Sequence, residues 1–521
     1  MKSFKPKTDW TTMIVSGGFL GLFVIFSLID MDMVGRWVTS SFNWSAKYFG
    51  AYWQILLLAI FFVGIGLAVS KYGSLKLGKK DKPENSYFRW VAMILCTLLA
   101  SGGVFWAASG PIQHFMSTPP LFASEGMTPS ESVLPALAQS FMHWGFLAWA
   151  TLGTLATIVL MYAHYHKGYP LKPRTILYPL FGEKIFGKSV IGSTADIVSI
   201  IAVAAGTMGP IGFLGLQAGY GLNDLFGIPN TLTTNIIIMA GLVTISAISA
   251  ATGVDKGIQL LSRINVIMVL VLGIAILLVG PGMFIIDSFI GAQAFQLQHF
   301  FEMSMYRADQ EWLGYWTIFF WGWFLGYGPM MAIFISKISR GRTIRDLIVA
   351  VSVIAPLVSN LWFTVVGGTG LFQELNNPGS ISEAFNEGGM PATVMAIMDQ
   401  LPMGFILALG FLLVTVVFVA TTVDTMSYTV AVTITGSDSP ARWIRVFWAV
   451  MFGILTVVLL TIGEGSISAL QNFIVVTAVP VSLLLLPPVW TSVKVAKMMW
   501  SEKEQAAADA ADKEEAEKAA S

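Results

Sequence analysis

The chain has 521 residues, of which 55% are hydrophobic and only 12% charged, and its mean hydropathy is +0.71. Water-soluble domains carry about 25% charged residues, so the composition is that of an integral membrane protein. With a formal net charge of +0, no nucleic-acid surface is suggested. The single cysteine, Cys96, excludes an intrachain disulfide or thiolate cluster. With five histidines and no phosphate loop or nucleophile triad, no enzyme is expected.

Apolar runs long enough to cross a bilayer occur at about 12–31, 50–70, 88–110, 134–164, 193–220, 230–251, 264–286, 312–337, 345–372, 398–431, 442–462 and 468–493, which makes about twelve helices. The first follows a basic start, lacks a small-residue cleavage site and reads as a retained helix. The fourth, eighth and tenth exceed the hydrocarbon thickness and are expected to be tilted or broken. Alternate threading places Lys76, Lys79, Lys80 and Lys82, then Lys167, Lys172, Arg174, Lys184 and Lys188, then Arg340, Arg342 and Arg345 on one side. Lys256, Arg263, Arg442 and Arg445 join them, while Glu125, Glu131, Asp224, Glu374, Glu383 and Glu387 fall opposite. The positive-inside rule makes the basic side cytoplasmic, so both termini are expected there.

After the seventh run, about 289–305 holds Phe289, Phe295, Phe300 and Phe301 among Gln and His, the pattern of a helix lying along the outer interface. The last twenty residues, Glu502 to Ser521, are alanine with mixed charge, for which a solvated helix or disorder is expected and no fold is assigned. Two segments occupy matching places, Ala100-Ser-Gly-Gly-Val-Phe-Trp-Ala-Ala-Ser-Gly-Pro in the third run and Gly322-Trp-Phe-Leu-Gly-Tyr-Gly-Pro in the eighth. Each opens a block of five runs, and each predicts a discontinuous helix around a midplane substrate site.

The eighth run carries the densest chemical signal. At about 100° per residue, Trp316, Phe320, Trp323 and Tyr327 share a helix face, with Phe324 beside them. Aromatic faces in a low-dielectric interior attract a quaternary ammonium; the competing reading is packing or an interfacial aromatic belt.

The stretch Tyr315-Trp-Thr-Ile-Phe-Phe-Trp-Gly-Trp-Phe324 and the following Ile338-Ser-Arg-Gly-Arg-Thr-Ile-Arg345 resemble the betaine/choline/carnitine transporter family, departing from its eighth-helix pattern at Tyr315 and Phe324. His143-Trp144 with Trp149, Phe181-Gly182-Glu183-Lys184, Gly257-Ile258-Gln259 and Gly367-Gly368-Thr369 extend the similarity over roughly 12–495. The resemblance implies an all-α protein of about twelve transmembrane helices with two inverted five-helix repeats, the neurotransmitter:sodium symporter-like fold, assembled as a homotrimer in lipid. The expected organisation is 1–87 for the N-terminus and two peripheral helices, 88–286 for the first repeat, 287–311 for a periplasmic interfacial helix, 312–495 for the second repeat and 496–521 for a cytoplasmic tail. It further implies an inner-membrane carrier of a small zwitterion or quaternary amine such as betaine, choline or carnitine, working by alternating access with sodium as coupling ion. Proton symport, or exchange of a sulfonium or sulfonate solute, is the alternative; a channel or sensor is the reading from another class. The short, mixed-to-acidic tail differs from the long basic helix of osmosensing members.

In sodium-coupled betaine carriers the resemblance assigns an aromatic box to positions that are here Trp144, Trp149, Leu152 and Phe324. Leu and Phe weaken the quadrupole a trimethylammonium group meets, and Trp323 with Tyr327 offers compensation. Thr421 and Thr422 match the hydroxyl pair of the family's second sodium site; their alternative is back-bonding to their own helix. Of the other sodium site only Thr207 survives, with Val203 and Met330 at the remaining positions. Exchangers need a fifth-helix arginine that Ser199 to Tyr220 lacks, which favours ion coupling. Three alternate glycines of the third helix correspond to Leu98, Ala100 and Gly102. Asp424 is an intramembrane acid, a functional candidate or the partner of a hydroxyl such as Thr425 or of a cytoplasmic-side arginine. His143 is a proton relay or a packed imidazole, and Asp196 and Glu183 read as cytoplasmic-end anchors.

Overall fold

The structure, a computed structural model, describes residues 8–98, 102–252, 254–437 and 439–520. The side chains of Cys96, Leu98 and Lys256 fall outside what is described, as does Ala100. Among the described residues the chain is helical, with one isolated bridge, Lys76 to Thr343, between two basic loops. Helices are what lipid permits, because each backbone N–H and C=O is satisfied within the segment.

Helix α1 (Trp10–Ile29) starts where Asp9 accepts the Thr12 N–H at 3.1 Å, and α2 (Met31–Val69) where Asp30 accepts the Met33 N–H at 2.8 Å. With 39 residues, α2 begins well before the apolar run at residue 50. The third span is split into α3 (Tyr87–Leu98) and α4 (Val104–Met116), between which Gly102 takes φ +143°. That conformation ends an α-helix and is open to glycine alone at low cost. A Thr128–Glu131 capping box with Pro129 in the first turn opens α5 (Pro129–Trp144). Gly145 then separates α5 from α6 (Phe146–Thr151), and Gly153 at φ +123° separates α6 from α7 (Thr154–Met161). The short α8 (Tyr178–Phe181) lies in the basic connection before α9 (Val190–Phe226), which Gly227 closes at φ +68°.

Helices α10 (Leu232–Thr252) and α11 (Val254–Val279) follow, and at Gly280-Pro281 the chain turns 110° into α12 (Gly282–Gln298). Helix α12 thus begins before residue 287, at the turn that Gly-Pro dictates. After α13 (Phe300–Met305) and α14 (Gln310–Leu313), a π turn over Gly314–Ile318 leads into α15 (Phe319–Ile338). The ninth span comprises α16 (Ile344–Val349), α17 (Ala355–Phe363) and α18 (Thr369–Asn376), joined through π turns. Helices α19 (Ser382–Gly388) and α20 (Thr393–Asp399) precede α21 (Gly404–Thr435), α22 (Arg442–Ile462), α23 (Ser468–Leu485) and α24 (Pro488–Ala520).

Ten described helices are long and apolar enough to span a bilayer, and the bent pair adds an eleventh. The third predicted run is described as two helices, α3 and α4, of 12 and 13 residues, each too short to span singly. One expectation is corrected. The eighth span is continuous through Pro329, because α15 forgoes one backbone bond without unwinding. The tenth, for which tilting or breaking is expected, is a single helix of 32 residues. Of the two states expected for the tail, it takes the helical one as the extension of α24, anchored where Lys167 and the Tyr162 hydroxyl both reach Glu502, at 2.8 and 2.9 Å.

The fourth span is buried along all of its most apolar window and the eighth along 94%, whereas α1 is buried along 33%. The packed centre is therefore α5–α7, α9 and α15, with α21 and α23 against them and α1 and α2 outside.

Candidate functional site

The break at Gly145 leaves Trp144 at the end of α5, and α15 brings three of its rings against it. Trp144 meets Trp323 edge-on at 5.7 Å, Phe324 edge-on at 5.2 Å and Phe320 at 5.9 Å, with Phe363 of α17 at 5.5 Å. Edge-to-face contacts at these spacings are the favoured geometry of aromatic pairs. Trp323 is fixed further: its Nε1–H donates to the Gly206 carbonyl at 3.1 Å, and its ring stacks on Phe319 at 5.7 Å. A Cβ on Gly102 would stand 2.6 Å from Trp323 Cη2, so the unwound third span reaches this ring through a glycine. Trp106 of α4 adds its ring edge-on to Phe320 at 4.8 Å.

Other predicted residues lie apart. Tyr327 packs its ring on Gly206 and points its hydroxyl at Thr207 Oγ1, 3.4 Å away. Trp149 and Leu152 are fully buried beyond the Gly145 break. Among the described residues Trp149 makes no centroid contact with the rings around Trp144, and its Nε1–H has no acceptor. His143 stacks on Phe320 at 4.8 Å, with Nε2 2.9 Å from Gln139 Nε2 and 3.1 Å from Thr317 Oγ1. The His114 ring lies 5.3 Å from it.

Above this cluster, on the face opposite the basic loops, lies a cavity of about 450 Å³ lined by Asp309, Glu311, Trp312, Tyr315, Trp316 and Gln471, among others. Trp316 stands between cavity and cluster, with ring contacts to His114 at 5.0 Å, Trp106 at 6.2 Å and Phe320 at 6.5 Å. The π turn before α15 sets Trp316 in the wall of this vestibule, so the four-residue face read from the sequence divides between vestibule and box.

Thr421 donates to the Val417 carbonyl at 2.8 Å and accepts from Asn265 Nδ2 at 2.8 Å, which is back-bonding with an added link to α11. Its neighbour Thr422 has a buried hydroxyl with no partner among the described residues. A buried unpaired hydroxyl is costly, and a neutral oxygen suits a small hard cation. The pair therefore fits sodium through Thr422, with one lone pair of Thr421 remaining. Thr207 donates to Val203 O at 2.6 Å and faces Tyr327, so its hydroxyl is engaged by protein groups.

Asp424 is paired. Arg445 Nη2 donates to Oδ1 at 2.5 Å and Ser249 Oγ to Oδ2 at 3.0 Å, and both charged side chains are almost wholly buried. The partner hydroxyl is Ser249 of α10 and not Thr425. Asp196 accepts from Arg174 Nε at 2.6 Å and from the Arg174 N–H at 2.8 Å, and Glu183 accepts from the Tyr169 hydroxyl at 2.8 Å. Sequence reasoning missed Asn265, Phe363 and the part played by Trp106. Only Trp106 had a local signal, its place in the glycine-rich third run.

Comparison with known proteins gives the family. The profile of the BCCT, betaine/carnitine/choline family transporter, matches residues 11–501. The chain is 51% identical over 485 residues to glycine betaine transporter 2 of Vibrio parahaemolyticus, covering 93% of this chain and 89% of that one. It is 31% identical to the glycine betaine transporter OpuD of Bacillus subtilis, over 89% of this chain and 90% of that one. It is 30% identical to the ectoine/hydroxyectoine transporter of Virgibacillus pantothenticus, over 90% and 93% respectively. These relatives are transporters and not enzymes. A multi-pass helical chain with an aromatic cluster beneath a vestibule, matched along nearly its whole length, belongs to the betaine/carnitine/choline transporter family.

Proposed function

We propose that this protein imports a glycine betaine-like zwitterion by sodium-coupled alternating access. The observation that carries the reading is the Trp144 ring, bounded edge-on by Trp323 and Phe324 below a vestibule closed by Trp316. Separation of these rings would offer π-faces to a trimethylammonium group. Movement of Trp316 would open the path from the vestibule, and return of the rings to mutual contact would exclude water from it. The 51% identity to a glycine betaine transporter supports betaine as a substrate. The changes at Leu152 and Phe324 support a looser preference for trimethylammonium than a complete box would give.

Thr422, with Thr421, would hold the coupling ion. Sodium supplies a fixed positive charge and the energy of its gradient. Because Thr207 is engaged by Val203 and Tyr327, the reading is one sodium per cycle.

The test is uptake of labelled glycine betaine into proteoliposomes under an imposed sodium or proton gradient. Uptake is expected to follow sodium with a Hill coefficient of about 1, since linkage reflects the sites that are coupled. Thr421→Ala with Thr422→Ala should weaken sodium activation more than substrate binding at saturating sodium. Full uptake on a proton gradient in sodium-free buffer, unaffected by that double change, rejects sodium coupling and favours the His114–His143 pair. Absence of saturable uptake rejects the carrier reading.

A further inference from the structure

A second cavity, of about 500 Å³, lies outside the vestibule between the first turns of α2 and the junction of α22 with α23. Its wall holds Asp32, Arg36, Thr39 and Ser40 on one side and Ser468 and Asn472 on the other. Three features make it a built polar site. Asp32 and Arg36 stand four residues apart in the order that favours an ion pair on a helix, yet they form none with each other or with another described residue; both face the groove. Asn472 is 5% exposed, and its Oδ1 is buried with no donor. A buried carbonyl oxygen in that state calls for an N–H or O–H from a ligand or water. The groove therefore presents one cation, one anion and one acceptor awaiting a donor.

Its position identifies the source of the complementary group. The groove begins where α1 turns into α2 at Asp30, on the face opposite the basic loops, at the end of the spans. Below it on α2, Trp37 and Trp44 are 57% and 52% exposed, the aromatic placement of a membrane interface. A headgroup at that level has its acyl chains beside the outer surface of α2.

We propose that this groove binds the headgroup of an aminophospholipid, with the phosphate on Arg36 and the primary ammonium donating to Asp32 and to Asn472 Oδ1. The donor requirement excludes a choline headgroup, whose trimethylammonium has no N–H to give. A glycerol headgroup brings hydroxyl donors but no cation for Asp32. The site also adjoins the transport path, because Ser468 lines both this groove and the vestibule. Occupancy would thus hold the connection between α22 and α23 at the vestibule rim. The site is independent of the substrate and coupling ion proposed above.

The experiment measures thermal unfolding of the purified full-length protein in detergent micelles doped with equal mole fractions of phosphatidylethanolamine, phosphatidylcholine or phosphatidylglycerol, alongside native mass spectrometry of retained lipid. Phosphatidylethanolamine should raise the melting temperature more than the other two and be retained in preference. Asp32→Asn should erase the preference for ethanolamine over choline headgroups, and Arg36→Gln should weaken retention of all three. Asp32 and Arg36 are solvent-exposed, so both variants keep the packed core, and their lipid-free melting temperatures should match the wild type. Equal stabilisation by ethanolamine and choline lipids in the wild type, or a preference that survives Asp32→Asn, overturns the proposal. So does a shift given by free phosphoethanolamine but not by the lipid, which assigns the groove to a soluble zwitterion.

Discussion

At the scale of single residues, the buried charges and the box rings make separate predictions. Asp424 and Arg445 are held together inside the bundle, so removing one leaves the other as an uncompensated buried charge. Asp424→Asn should cost about 3–5 kcal/mol of stability, and a double change to Leu and Met should recover most of it, as apolar replacements of buried pairs often do. Thermal unfolding in detergent measures both, and an unchanged melting temperature in the single variant would remove the structural role and restore Asp424 as a functional candidate. For the box, Trp144→Ala and Trp323→Ala should each weaken betaine binding by about 1–2 kcal/mol, roughly tenfold, if the cation contact is desolvated. Trp149→Ala should lower stability more than affinity, because its ring lies outside the contact set of Trp144. Equal affinity losses at all three positions would show that Trp149 swings into the box when substrate binds.

At the scale of elements, the breaks in the third and fourth spans are set by glycines that no other residue replaces cheaply. Gly102 combines φ +143° with the 2.6 Å approach to Trp323, and Gly153 combines φ +123° with a Cβ position 3.0 Å from Ala332 Cα. Backbone strain of this kind costs about 1–3 kcal/mol. Gly102→Ala should therefore displace Trp323 and reduce affinity at least as much as Trp323→Ala, while Gly153→Ala should act on stability. Titration of betaine against intrinsic tryptophan fluorescence separates the two, and wild-type affinity in Gly102→Ala would show that the third span does not position the ring. The continuous eighth span carries a related lesson. Gly322, Gly326 and Gly328 lie where Trp53, Ala202 and Leu485 approach, so its glycines serve close packing rather than unwinding.

At the scale of the whole molecule, a charge network ties the start of the chain to the basic face. Asp9 caps α1, receives Arg174 Nη2 at 3.1 Å and Lys172 Nζ at 3.4 Å, and donates its backbone N–H to Ile434 O at the end of α21. Arg174 continues to Asp196 in α9, so α1 and α9 are linked through two acids and two bases, and α21 joins them through the Asp9 amide. Burial pushes the Asp9 carboxyl up, but the Thr12 amide and the charges of Lys172 and Arg174 outweigh it and hold the group below its ordinary 3.8. A depressed carboxylate stabilises the fold above the unfolded value and loses that contribution as pH falls through the folded one. The melting temperature should accordingly drop below about pH 4, with a smaller acid-side slope in Asp9→Asn, which also loses about 1 kcal/mol of capping at neutral pH. An identical slope in the variant would place the acid sensitivity elsewhere. Arg174→Ala, which strands the fully buried Asp196, should cost more than Asp9→Asn at neutral pH.

By itself the sequence determined the membrane class, the many-span helical architecture, the segregation of basic loops and the family, and it marked Trp144, Trp323 and Phe324 as the rings of interest. Those are properties of local composition and of length against bilayer thickness, which a chain carries without folding. Only the tertiary structure decided which rings meet, that Trp149 stands aside, that α15 runs unbroken and that Asp424 belongs to Arg445 and Ser249. In water an apolar stripe reveals which face of a helix turns inward. In lipid both faces are apolar, so periodicity loses that information and helix partners are chosen by close packing and polar contacts between segments far apart in the chain.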